Sequence, residues 1–176
     1  MSHKDYFSIK PIDEEVVTFA DDFFFKLSDA QVLSKLEDLK KRQLYIYNIV
    51  NHFGSTVNPT CRDYILRTGL MVDYCYNKFY FPIPLISQQK VMDYVNFITE
   101  EGKAKIAAGN NKQDSNDDIA LLNQHILAEA ITEKLMYYED TLHVVNNKEN
   151  LLVGYNLHAL LTLYNTEIIL RQSIQN

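Results

Sequence analysis

The chain has 176 residues, 47% hydrophobic, 23% charged and 12% aromatic, which is the composition of one globular domain and excludes disorder along its whole length. With 5 Gly and 4 Pro there are too few turn residues for a sandwich or barrel, and no glycine-rich phosphate loop can be assembled. The formal net charge of -6 argues against a protein whose main task is neutralising phosphates.

Residues 1–12 read as an N-terminal arm. Asp13, followed by Glu14 and Glu15, is an N-cap with acidic residues at the positive end of the helix dipole, so a first helix runs from Glu14 to about Leu27. Ser28 and Gln31 form a capping box that opens a second helix, expected to continue through Ile49 to about Phe53. Gly54 ends it, and Asn58 before Pro59 caps a third helix that reaches about Tyr80. Pro82 and Pro84 break the chain, and Ser87 caps a fourth helix from Gln88 to about Ala108. Residues 109–116 (GNNKQDSN) have loop composition. Ser115 or Asn116 then caps a fifth helix ending near Val145, and a sixth covers Glu149 to about Ile174.

The fifth helix carries Leu127, Ile131, Leu135, Tyr138, Leu142 and Val145 at helical spacing, and the sixth answers with Val153, Leu157, Leu160, Tyr164 and Ile168. The connection between them is short, so the pattern predicts an all-α bundle of about six helices centred on a long antiparallel C-terminal hairpin. The sixth helix is also apolar at Leu152, Leu161, Leu163, Ile169 and Leu170. Such a helix is central in the monomer or covered by another chain.

Cys61 and Cys75 are fourteen residues apart on one predicted helix. That separates them by about 21 Å, beyond the reach of a disulfide. A reducing compartment is the expected home, either the cytoplasm or a virion assembled there. No apolar stretch reaches the 18 or so residues of a membrane span. The first turn of the third helix would lower the Cys61 pKa through the dipole, but neither cysteine has the neighbouring histidine or paired spacing of a nucleophile or zinc ligand. No cofactor motif is present, and no cofactor is expected.

Three groups of residues invite a functional reading. On the fifth helix His125, Glu129, Glu133, Asp140 and His143 lie near one face, where carboxylates and imidazoles at i, i+3 and i+4 converge as metal ligands. A di-iron bundle requires a Glu-x-x-His on each of two helices, however, and only Asp140-x-x-His143 is present. On the second helix Lys35, Lys40, Lys41 and Arg42, with Tyr45 and Tyr47 beyond, form a basic patch of the kind that meets phosphates. Glu37 and Asp38 partly neutralise it, and the chain's acidic balance makes nucleic acid an unfavoured partner. His158, near Thr162 and Asn165, is expected to be a structural residue.

The aromatic content is the more unusual feature: 12 Tyr and 9 Phe without Trp. Phe23, Phe24 and Phe25 are consecutive and diverge by about 100° each, so they cannot all enter one core. Tyr74, Tyr76, Phe79, Tyr80 and Phe81 cluster before the proline break. Large rings with a polar tip are enriched at protein interfaces. The expectation is therefore a non-enzymatic structural or adaptor subunit, acting through helical protein–protein contacts in a homo-oligomer or multi-subunit complex, with these aromatics at the contact. In size and helical character the chain is similar to the small connector subunits of bacteriophage head-to-tail rings, a fold-level analogy without a motif that makes no claim of kinship and offers virion assembly as one setting for such a complex. The alternatives are a helical metal-binding protein or enzyme using the fifth helix, and a nucleic-acid-associated protein using the second.

Overall fold

The computed structural model of the protein describes residues 9–80, 83–94, 96, 124–142 and 147–175. Among them the chain is all-α, with seven helices: α1 (Glu14–Phe25), α2 (Asp29–Arg42), α3 (Leu44–Ser55), α4 (Pro59–Phe79), α5 (88–94), α6 (His125–Leu142) and α7 (Asn147–Gln175). Phe81, the 109–116 loop, the expected fourth helix beyond residue 96, and the expected start and end of the fifth helix lie outside the described residues.

Local capping follows the sequence closely. The Ser28 N–H donates to Gln31 Oε1 at 2.8 Å and the Gln31 N–H to Ser28 Oγ at 3.4 Å, completing the capping box of α2. Asn58 Oδ1 accepts from the Cys61 N–H at 3.0 Å above Pro59, and Ser87 Oγ from the Lys90 N–H at 3.4 Å. Asp13 occupies the N-cap of α1, but its side chain does not cap; its carboxylate lies 3.3 Å from the Lys10 ammonium instead.

The expected single helix from residue 29 to about 53 is two helices. Gln43 takes φ -137° and ψ 64° and ends α2 one residue before α3 begins. No glycine or proline causes this break; a tertiary clamp holds it. The buried Gln43 side chain donates from Nε2 to the Pro84 carbonyl at 2.7 Å and accepts the Ile86 N–H on Oε1 at 2.9 Å. One amide thereby satisfies both backbone groups of the post-proline segment, an arrangement a straight helix would not offer. A second tie on the same segment joins Lys90 to the buried Glu167 of α7.

The centre of the fold is α4, where the C-terminal pair of helices was expected. It touches α1, α2, α3, α6 and α7. Every residue from Tyr64 to Asp73 is buried, the signature of a helix surrounded on all sides. Gly69 permits the close approach of α3: a Cβ there would stand 2.6 Å from a Val50 methyl carbon. On α7 Leu157, Leu160, Tyr164 and Ile168 are buried, and of the apolar surplus Leu161 and Leu163 are buried as well, whereas Ile169 and Leu170 are half-buried and the Leu152 side chain lies outside the described residues.

Arg67 of α4 fixes the corner between α1 and α2. Its guanidinium is nearly buried, donates to the Phe24 and Leu27 carbonyls at 2.9 and 2.8 Å, and pairs with Asp63 at 2.7 Å. The first carbonyl lies in the last turn of α1 and the second just beyond its C-cap, where no intrahelical donor remains and a cation is favoured.

Candidate functional site

Helices α1, α2 and α4 enclose a surface cleft of about 650 Å³, a volume within the range of ligand-holding pockets. Phe19 and Phe23, one turn apart on α1, stack at 5.8 Å with planes 10° apart. Phe23 meets the buried Phe24 edge-on at 5.1 Å, and Tyr74 of α4 completes the circuit, 5.7 Å from Phe24 and 5.8 Å from Phe19. Phe19 is 53% exposed and Phe23 38%. The opposite wall comes from α2, whose Val32, Leu36 and Leu39 point into the core and thereby turn Lys35, Asp38, Lys41 and Arg42 toward the cleft. Leu70, Asp73, Asn77 and Lys78 of α4 close it.

The electrostatics are organised by Asp73, which is 3% exposed. Its carboxylate accepts from Arg42 at 2.8 Å, from the Tyr164 hydroxyl at 2.6 Å and from the Asn77 amide at 2.9 Å. Partial burial opposes the Arg42 charge, but the hydrogen bond and charge of Asp73 outweigh it and hold the guanidinium above its ordinary pKa. Burial first, and then the neighbouring Asp73 charge, push the Tyr164 hydroxyl well above its usual value and the Cys75 thiol up to about 12. Asp38, the second carboxylate of the cleft, lies 3.7 Å from Lys41. Both anions are thus engaged by cations of the cleft itself, whereas Lys35 and Lys78 have no carboxylate within ion-pair distance among the described residues. Chemically, the cleft offers apolar ring surface beside uncompensated positive charge. That combination suits binding an apolar group attached to an anion.

The structure merges two groups that look separate in sequence. Phe23, Phe24 and Tyr74 from the aromatic set, and Lys35, Lys41 and Arg42 from the basic set, line one cleft. The other predicted members lie elsewhere. Phe25 is half-buried against Tyr64, with the Lys134 ammonium 5.5 Å from its ring centre. Tyr76 is fully buried, stacked on Tyr164 at 4.8 Å, and donates to Asn165 Oδ1 at 2.7 Å. Phe79 lies beneath the Lys10 ammonium at 4.9 Å. The Tyr80 hydroxyl donates to the Lys10 carbonyl and accepts from the Gln124 amide, and burial, only partly opposed by that amide, pushes its pKa up to about 12. Lys40 leaves the cleft and places its ammonium 5.4 Å from the Tyr47 ring centre.

Of the metal-ligand set, His125, Glu129 and Glu133 are exposed along α6. The side chain of Asp140 and the whole of His143 lie outside the described residues, as does the His158 side chain. Among the described residues no three His, Cys, Asp or Glu side chains come together as a metal site. Both cysteines are buried. Sequence reasoning missed Phe19, Asp73, Asn77 and Lys78. The i, i+4 spacing of Phe19 to Phe23 and of Asp73 to Asn77 was the available signal.

No protein-family model, curated protein or solved structure matches the chain. The functional reading therefore rests on the cleft.

Proposed function

We propose that the protein is a non-enzymatic adaptor or structural subunit, working through helical protein–protein contacts within a homo-oligomer or a larger complex. The cleft of Phe19, Phe23 and Tyr74 beside Lys35, Lys41 and Arg42 supports this reading more than any other feature. Exposed aromatic rings next to an arginine are the composition enriched where one protein buries another's side chains. In this reading residues 1–176 form one domain in a helical-bundle arrangement. Its α6 and α7 pair as an antiparallel hairpin across the four residues that separate them. The setting is cytoplasmic, and a connector role in virion assembly suits the size and the all-helical build.

The test is a native mass spectrum of the protein isolated at modest salt from its source, beside the double variant Phe19→Ala and Phe23→Ala. A multiple of the 20.5 kDa chain or a co-purifying protein, lost in the variant, is the expected result. A bare monomer for the unaltered chain overturns the proposal, and a bound metal's extra mass would redirect attention to His125, Glu129 and Glu133.

A further inference from the structure

The cleft also specifies what it would hold. We infer that its occupant is an acidic segment of a partner protein, which seats an aromatic or long aliphatic side chain among Phe19, Phe23 and Tyr74 and sets its carboxylates against Lys35 and Lys78. The inference rests on the adaptor reading and names the partner's chemistry.

Charge complementarity carries it. Four cations line the cleft against two carboxylates, and both carboxylates are already held, Asp73 by Arg42 and Asp38 by Lys41. A cationic occupant would find no free anion and would face two uncompensated ammoniums. An anionic one finds both ammoniums at the mouth. The ring floor sets the second requirement: the phenyl faces of Phe19 and Phe23 have no hydrogen-bonding group and favour apolar surface, while a cation drawn to a ring face would meet the two ammoniums of the same cleft. About 650 Å³ accommodates one or two large side chains from a segment lying across an open mouth. A single-stranded nucleic acid fits less well. It needs successive rings free to stack on bases along a basic track, whereas Phe19 and Phe23 stack on one another and Asp38 stands on the facing wall.

The experiment uses four fluorescein-labelled twelve-residue peptides, all Glu and Asp around a central pair of Phe, Tyr, Trp or Leu residues. The comparison probes are a peptide with every acid replaced by Lys, one with Ala at the central pair, and a twelve-nucleotide oligothymidylate. Anisotropy gives affinities, and amide chemical-shift changes locate the contact. At least one acidic peptide is expected to bind and to shift amides of α1, α2 and α4 around the cleft, while the Lys and Ala peptides bind at least tenfold more weakly. Phe23→Ala, and separately Lys35→Glu with Lys78→Glu, each weaken binding about tenfold. The charge effect shrinks as salt rises from 50 to 500 mM. Thermal melts of the variants within a few degrees of the parent exclude misfolding as the cause.

Tighter binding of oligothymidylate overturns the inference, as does indifference to the two sets of substitutions or the absence of binding to all four acidic peptides at millimolar concentration. If the native mass spectrum still shows an assembly when the peptides fail, this inference falls and the adaptor reading stands. If the peptides bind while the isolated protein is a bare monomer, the adaptor reading falls and the chemistry of the cleft stands.

Discussion

Tyr74 and Tyr76 are two residues apart on α4 and point about 200° apart around its axis. Tyr76 enters a closed aromatic cluster on the α7 side, where it stacks on Tyr164 and each hydroxyl has an acceptor: Asn165 for Tyr76, Asp73 for Tyr164. Tyr74 enters an open cluster on the α1 side, where its ring neighbours are Phe19 and the buried Phe24, and where Phe19 and the adjoining Phe23 remain in contact with solvent. In the closed cluster, rings and polar partners come in equal measure and the site is complete within the chain. In the open cluster, ring surface and positive charge are left over. Ring content alone therefore does not separate a closed cluster from an open one; the state of the polar groups around the rings does.

The comparison can be broken most severely with alkali. The folded chain holds the Cys75 proton up to about pH 12, against 9.0 for the ordinary thiol. The stability this represents is fully present below pH 9 and disappears as pH rises toward 12, a loss of about 4 kcal/mol from this group. Raised Tyr76 and Tyr164 hydroxyls push in the same direction. Urea midpoints measured from pH 8 to 11.5 should fall continuously, and Cys75→Ala should flatten the decline. Next in size, Asp73→Ala removes the anion on which Arg42, Asn77 and Tyr164 converge and should cost about 3 kcal/mol in equilibrium unfolding, leaving the buried Tyr164 hydroxyl without its acceptor.

Gly69→Ala drives a methyl into Val50 and should cost about 2 kcal/mol by the same measurement. Tyr76→Phe deprives Asn165 of one donor in the closed cluster, for about 1 kcal/mol. Phe19→Ala, in the open cluster, should change stability by no more than about 0.5 kcal/mol while weakening the peptide binding described above. A large destabilisation by this last substitution would show that the open cluster is core and not contact surface.

The element boundaries legible in the sequence are those written in local chemistry: the capping box at Ser28, the Asn58–Pro59 start and the Ser87 cap. The α2–α3 break was illegible because its cause is forty residues away, in the backbone of Pro84 and Ile86. For the same reason α4 does not announce its central position. Its sequence includes Arg67 and Asp73, which read as surface residues until their partners on other helices are known. The candidate site was half legible. Its aromatic and basic members stand out separately, but only the packing of both α1 and α2 on α4 brings Lys35, Lys41 and Arg42 opposite Phe23 and Tyr74. Lys40 shows the limit of patch counting: one position along the helix turns it from the cleft to Tyr47.

The two walls of the cleft meet at the corner that Arg67 holds. Because that guanidinium gathers one carbonyl from the last turn of α1 and one from the connection to α2 while anchored on α4 through Asp63, the splay between α1 and α2 is set by a residue that lines none of the cleft. The width of the mouth is accordingly written in Arg67. A lysine there, with one point charge in place of a planar fork, would keep the charge and lose the gauge.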